Sequence, residues 1–199
     1  ADWCVEEFLK ELDRLNLTDN TLVILTSDNG PVLDDGYQDQ AEELVGSHKP
    51  AGPYRGWKTM RYAGGTCIPF IVRWPGVVEP GVSDAFVCQM DLLASLASLV
   101  GQSYPDRTDS QNTLQTFLGK NRKGRNELVI EGMLDYAYRQ GDWVMIPPYP
   151  GENRTYELYN IRKDPEQKND LSESEPKVLR RMMMRFEELK RETGKKTNF

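Results

Sequence analysis

Two short stretches of the chain carry side chains that are suited to binding a tetrahedral anion. Asp28 and Asn29, followed by Gly30, come directly after an apolar run and offer adjacent carboxylate and amide oxygens. Such oxygens are ligands for a hard cation like calcium or magnesium. Lys58 lies downstream in a basic stretch and supplies a mobile ammonium with three donors. A metal and an ammonium on one anion would stabilise charge developing in a transition state.

Each of these features also has an ordinary structural explanation. Asp-Asn-Gly is a common turn sequence, and residues 48–73 hold five Lys or Arg and no Asp or Glu, which also fits a solvated basic loop. His48 is the only histidine, and a lone histidine is more often structural or exposed than catalytic. A serine-hydrolase triad is not supported, and no phosphate-binding or dinucleotide-binding glycine motif is present.

Two short apolar runs are predicted to position these residues. Residues 21–26 and 67–74 are continuous and partly β-branched, which predicts two strands covered on both faces. We expect Asp28 to follow a parallel strand of an α/β sheet, at the edge where active sites of such sheets form. Lys58 would reach the same edge if the two strands are neighbours. Gly30 is expected to permit the tight turn that aims the two ligands.

The remaining elements follow from hydrophobic periodicity. Helices are predicted over residues 2–15, with Asp2 as the cap, and over residues 90–100, with Gly101 past the end. Residues 31–65 read as a long functional loop. Strands are predicted at 128–131, 136–139, 143–146 and 155–161, with a hairpin at Gly141-Asp142. A helix over 177–192 should place its methionine-rich apolar stripe across that antiparallel sheet. We divide the chain into domains at 1–122 and 123–199.

Composition excludes some classes of protein. A net charge of −6 and a sequence pI near 5.0 argue against a nucleic-acid partner. No apolar run approaches the roughly 20 residues of a membrane span, so none is predicted. Three cysteines at no metal-ligand spacing are predicted to be buried thiols. A start at Ala1, inside a helix and without Met, suggests a fragment, whose unpaired sheet edges would favour self-association.

Three ordered motifs resemble the second half of the arylsulfatases, within the alkaline-phosphatase-like superfamily. They are Leu22–Gly30, Tyr54–Lys58 and Gly64–Gly76. Residues 157–171 resemble the C-terminal subdomain of that family, so the likeness covers nearly the whole chain. The implied fold is an incomplete alkaline-phosphatase-like α/β sheet followed by a small α+β subdomain, an antiparallel sheet plus a C-terminal helix. Ala63 and Trp57 depart from the residues that many relatives have there.

The resemblance implies hydrolysis of a sulfate ester on a sulfated carbohydrate or aryl compound. It makes Asp28 and Asn29 two calcium ligands, Lys58 the catalytic residue that contacts the sulfate, and His48 a substrate contact in a variable loop. The nucleophile of the family is a formylglycine matured in a Cys/Ser-x-Pro-x-Arg motif of its N-terminal half, and none of the three cysteines here lies in such a motif. The chain alone is therefore expected to be inactive. Such enzymes are commonly periplasmic, secreted or lysosomal.

Two other hypotheses remain open from the residues. A metal and a lysine suit phosphate as well as sulfate, so a phosphoesterase of the same superfamily is one alternative. The other is a non-catalytic interaction module, which predicts a stable monomer with a closed core.

Overall fold

The computed structural model describes residues 1–34, 36–105, 108–132, 136–149, 151 and 153–196. In chain order the elements are α1 (Asp2–Arg14), β1 (Val23–Thr26), α2 (Ala41–Val45), β2 (Phe70–Arg73), α3 (Asp91–Leu99), α4 (Leu114–Phe117), β3 (Glu127–Glu131), β4 (Tyr136–Gln140), β5 (Trp143–Ile146), β6 (Glu157–Asn160) and α5 (Pro176–Lys196). They form two compact units. Unit 1 comprises Ala1–Thr26 and Pro69–Arg125, and unit 2 comprises Ser27–Ile68 and Asn126–Phe199.

Unit 1 contains both predicted apolar strands, and they are neighbours. The prediction of parallel strands was wrong for this pair, because β1 and β2 pair antiparallel, with Thr26 opposite Phe70. An apolar run predicts a strand but not the direction of its partner, which depends on the path of the connecting chain. Antiparallel pairing sets the end of β1 beside the start of β2, so the segments that follow β1 and precede β2 leave the same end of the ladder.

Both strands of this ladder are only partly covered, contrary to the prediction of two buried strands. Leu25 is 39% exposed and Ile71 is 55% exposed. Trp3 and Phe8 on α1 are also exposed. Unit 1 therefore presents a considerable apolar surface, which soluble proteins normally keep covered.

Local details of unit 1 correct two other predictions. Ala1, not Asp2, is the N-cap of α1, and Asp2 is the first helical residue. The prediction of buried thiols was wrong for Cys4, which is exposed, whereas Cys67 in unit 2 and Cys88 are partly buried. Gly101 does follow α3 in a left-handed conformation, with φ at 68°, as expected for a residue just past a helix end.

Unit 1 also contains a buried ion pair, formed by Asp91 and Arg125. The guanidinium of Arg125 donates from Nε to Oδ2 of Asp91 at 2.8 Å and from Nη2 to Oδ1 at 2.7 Å. Asp91 Oδ1 also accepts from the backbone N–H of Gln111 at 2.8 Å. The pair is fully hydrogen-bonded, as a charge this deeply buried requires. It joins the first turn of α3 to the segment that leads to β3.

Unit 2 contains the predicted antiparallel sheet, in the order β3-β4-β5-β6. All four strands lie within two residues of their predicted bounds, and the largest difference is at β6, which begins at Glu157 instead of residue 155. Gly141, with φ at 57°, makes the two-residue turn between β4 and β5, so the predicted hairpin is confirmed.

One face of this sheet is covered by α5. Met182 and Phe186 pack with Tyr138, Met145 and Leu158 in one buried cluster. The methionine-rich stripe is therefore core, as predicted from its spacing. The helix runs to Lys196, four residues beyond the predicted end. A second cluster on the sheet includes Tyr62 and Ala63 from the loop that precedes β2.

Candidate active site

Asp28 and Asn29 form a polar turn at the start of unit 2. The backbone N–H of Asn29 donates to Oδ1 of Asp28 at 3.0 Å, and Ser27 Oγ donates to the backbone carbonyl of Asn29 at 3.1 Å. Nδ2 of Asn29 donates to the carbonyl of Gly30 at 2.8 Å, which directs the amide oxygen away from that carbonyl. Asp28 is exposed and Asn29 half-buried. Among the residues that the structure describes, one carboxylate oxygen and one amide oxygen on these adjacent residues thus remain available.

Backbone hydrogen bonds join this turn to the loop that carries Lys58. Gly30 N–H donates to the carbonyl of Gly65 at 2.8 Å, and Lys58 N–H donates to the carbonyl of Pro31 at 2.9 Å. These bonds link segments about thirty residues apart in the chain. The two predicted groups of site residues are therefore held side by side.

Glycines permit this approach because they lack a Cβ. A Cβ on Gly30 would lie 1.8 Å from the carbonyl oxygen of Gly64, and one on Gly64 would lie 2.2 Å from the carbonyl oxygen of Gly56. Real Cβ atoms do not come so close to backbone oxygens. Gly30 is not among the residues with positive φ, so glycine is required here by the close packing of two backbones and not by a left-handed conformation.

Lys58 is half-buried. Within the part of the chain that the structure describes, its Nζ makes no ion pair or hydrogen bond with another side chain. The next residue, Thr59, has φ at 74°, in a region that β-branched residues rarely occupy. Backbone strain of this kind costs about 1–3 kcal/mol and clusters at functional sites. The ammonium is thus uncommitted and is carried by a strained segment.

Gln167 supports the same loop from the far end of the sequence. Its side chain is fully buried. Its Oε1 accepts from the backbone N–H of Ala63 at 2.8 Å, and its backbone carbonyl accepts from Nη1 of Arg55 at 3.1 Å. The Arg55 guanidinium in turn lies 3.7 Å from the centre of the Tyr62 ring, a cation–π distance. Together these contacts hold the residues on both sides of Lys58, Arg55 before it and Ala63 after it.

Glu157, at the start of β6, adds a second support. Its Oε2 accepts from Tyr62 Oη at 3.2 Å and from Tyr159 Oη at 2.7 Å, and its Oε1 lies 3.9 Å from Arg61 Nη2. Burial, followed by the adjacent Glu157 carboxylate, raises the pKa of Tyr62. Burial and the hydrogen bond to Glu157 raise the pKa of Tyr159 as well. Both phenols remain protonated donors at neutral pH.

His48 lies apart from these contacts. It is exposed in the turn after α2, where its backbone N–H donates to the carbonyl of Val45 at 3.0 Å. The neighbouring Lys49 lies 3.9 Å from Glu166. None of the hydrogen bonds found among the described residues joins the His48 side chain to Asp28 or Lys58. Its role as a substrate contact stays a prediction.

Gln167 and Glu157 were not identified from the sequence. Residues 157–171 resemble the C-terminal subdomain of the arylsulfatases, but that likeness attaches no role to either side chain. The left-handed backbone of Gln167, with φ at 47°, gives no signal in the sequence. No group of three His, Cys, Asp or Glu side chains close enough to hold a metal occurs among the described residues. In the same residues, no helix is long and apolar enough to cross a membrane.

Several known proteins resemble this chain in sequence and in fold. A family model described as Sulfatase matches residues 1–102. The N-acetylgalactosamine-6-O-sulfatase of Bacteroides thetaiotaomicron is 42% identical over 204 residues, covering 95% of this chain and 40% of that enzyme. The steryl-sulfatase of Rattus norvegicus is 36% identical over 132 residues, covering 65% of this chain and 22% of that protein.

A solved structure gives the same answer for the fold. It comes from work on the metabolism of multiple glycosaminoglycans by Bacteroides thetaiotaomicron, and matches with a TM-score of 0.88 and 43% identity over 95% of this chain and 42% of that one. The architecture is therefore that of the C-terminal part of the alkaline-phosphatase-like fold. The chain spans less than half the length of these relatives. On the family model and on 42% identity across nearly its whole length, the chain belongs to the sulfatase family.

Proposed function

We propose that this chain is the C-terminal part of a sulfuric ester hydrolase that acts on a sulfated carbohydrate or aryl sulfate. The observation that carries the proposal is the pair of backbone hydrogen bonds that holds the Asp28-Asn29 turn against the Lys58 loop, in a chain of the sulfatase family. Similarity to an N-acetylgalactosamine-6-O-sulfatase supports a sulfated sugar as substrate. The proposed compartment of the parent enzyme is periplasmic, secreted or lysosomal.

The donor atoms of Asp28 and Asn29 fit a calcium ion. Oδ1 of Asp28 is engaged by the backbone N–H of Asn29, and Nδ2 of Asn29 by the carbonyl of Gly30. Oδ2 of Asp28 and Oδ1 of Asn29 remain as hard oxygen donors. Calcium takes about six to eight oxygens, so the other ligands would come from residues outside this chain or from substrate. When bound, calcium would neutralise part of the sulfate charge.

The nucleophile is also assigned to the rest of the parent enzyme. We propose a formylglycine there, because none of the three cysteines here lies in a Cys-x-Pro-x-Arg sequence. The one serine that fits the pattern, Ser103, follows the motifs shared with the family instead of preceding them. The exposed apolar side chains of unit 1, Leu25 and Ile71 among them, support an N-terminal half that covers them. In an isolated chain, the unpaired outer edges of β1 and β2 are the surface through which the expected self-association would take place.

Lys58 is assigned the binding of a sulfate oxygen. Its Nζ is free of side-chain partners among the described residues, and its backbone N–H is bonded to Pro31, so the ammonium can donate without losing a protein contact. Placed against the sulfate, it would stabilise negative charge as the ester bond breaks. His48 is assigned a contact with the sugar beyond the sulfate, from an exposed turn.

Hydrolysis of a chromogenic aryl sulfate in the presence of calcium tests the proposal. The full-length protein is expected to be active and this chain alone inactive. Lys58→Ala should lower kcat/KM by about 10²–10³-fold, the cost typical of removing one donor to a developing oxyanion. Asp28→Ala should weaken calcium binding measured by calorimetry. Lys120→Ala, which changes an exposed lysine in unit 1, serves as the control and should leave both values unchanged.

Three outcomes would contradict the proposal. Activity of this chain alone would mean that a nucleophile lies within it. Hydrolysis of an aryl phosphate in strong preference to the sulfate would favour the phosphoesterase alternative. Full activity of Lys58→Ala would remove the lysine from its assigned role.

A further inference from the structure

An open cleft on α5 is lined by cationic side chains and lies outside the site described above. It has a volume of about 730 Å³. Lys177, Arg181 and Arg185 follow one another at intervals of four residues, and Arg180 and Met184 form a parallel row beside them. Residues four apart on a helix lie about 6 Å apart on one face. The cleft therefore offers four cations along about two turns of helix.

Three of these cations are uncommitted. Lys177, Arg180 and Arg181 form no hydrogen bond or ion pair within the described part of the chain. Elsewhere on the same helix, Lys190 is paired with Glu187 at 3.1 Å. An acidic chain with a net charge of −6 could readily supply partners, yet these three side chains have none there.

The fourth cation is held in place. Arg185 Nη2 donates to Oε1 of Glu127 at 2.7 Å, and its Nη1 lies 3.2 Å from Glu188 Oε2. Its charge is thus largely balanced, and it forms a fixed end to the cleft. The exposed thioether of Met184 adds an apolar patch between the cations.

We propose that the α5 cleft is an accessory binding site for sulfated glycan chains. Guanidinium groups bind tetrahedral oxyanions through paired N–H donors, and several in a row suit a polymer that carries repeated sulfates. The aliphatic stems of the arginines and Met184 provide apolar surface for the faces of sugar rings. The choice of sulfate over other anions rests on the proposed function. The α5 cleft would retain the polymer, while hydrolysis takes place at the Lys58 site.

Calorimetry on the full-length protein tests this site. The ligands are a sulfated glycosaminoglycan oligosaccharide, its chemically desulfated counterpart, and a single-stranded DNA oligonucleotide of equal charge. Replacing Lys177, Arg180 and Arg181 together by Gln is expected to weaken binding of the sulfated oligosaccharide by about tenfold or more, since three exposed ion pairs are lost. The matched control replaces Lys120, Arg122 and Lys123 by Gln, the same charge change on exposed residues of unit 1.

The outcomes separate this proposal from the catalytic one. The triple variant of the cleft should keep wild-type kcat/KM on a small aryl sulfate. In a Lys58→Ala background, the cleft substitutions should still weaken oligosaccharide binding relative to the matched control substitutions. Equal affinity in the two triple variants would overturn the proposal. So would equal binding of the desulfated oligosaccharide, or binding of DNA as tight as that of the sulfated chain. If the full-length wild-type protein bound the sulfated oligosaccharide but did not hydrolyse the aryl sulfate, that result would count against the proposed function alone.

Discussion

Substitution of Gly30 by alanine should disrupt the site without touching a single reactive group. The new Cβ would lie 1.8 Å from the carbonyl oxygen of Gly64, where ordinary contact begins at 3.4 Å. The two backbones must therefore separate by about 1.6 Å, because no flexible side chain can move aside instead. Such a shift stretches the 2.8 Å hydrogen bond from Gly30 to Gly65 beyond its useful range.

The size of the effect follows from these contacts. Overpacking of this kind typically costs about 1–3 kcal/mol of folding free energy. A displacement of about 1 Å between reacting groups can cost about 10²-fold in turnover, and Asp28 and Lys58 lie on the two segments that separate. We therefore expect Gly30→Ala to lower kcat/KM for an aryl sulfate by about two orders of magnitude.

Urea unfolding and steady-state kinetics of the full-length protein measure both effects. Gly81→Ala is the matched control, because a Cβ there meets nothing within 4 Å and Gly81 is not among the residues with positive φ. It should change stability by less than about 0.5 kcal/mol and leave turnover unchanged. Wild-type stability and turnover in Gly30→Ala would refute the assignment of this close backbone contact as the element that aligns the site.

Two further predictions concern side chains that support unit 2. Gln167→Ala should destabilise the protein in urea by about 1–3 kcal/mol, because the N–H of Ala63 loses its buried acceptor, and unchanged unfolding would contradict the role given to Gln167. Hydrogen bonding to Arg185 holds the pKa of Glu127 below its ordinary value of 4.5. The stabilisation that the ionised Glu127 carboxylate contributes is therefore fully present above the ordinary pKa and is lost as pH falls through the lower pKa of the folded state. Wild type should exceed Glu127→Gln in stability at pH 7, and the difference should shrink well below pH 4.5; a difference independent of pH would contradict it.

The elements that were predicted well are those with a strong local pattern. The helix α5 and the strands β3 to β6 follow from periodicity, and the turn at Gly141 from a glycine flanked by two strand patterns. The direction of pairing between β1 and β2 could not be predicted in the same way. The residues of two apolar runs with forty residues between them do not indicate whether the strands pair parallel or antiparallel. How far their faces are exposed depends on which other segments pack against them.

For the site, the sequence by itself determined the family and the candidate residues Asp28, Asn29 and Lys58, because these belong to short motifs with fixed spacing. Only the tertiary structure decided what holds them together. Gly30 is required by the backbone of Gly64, and Gln167 binds Ala63 across 104 positions of the chain. Contacts of this kind arise from the packing of distant segments, which the periodicity of neighbouring residues does not encode.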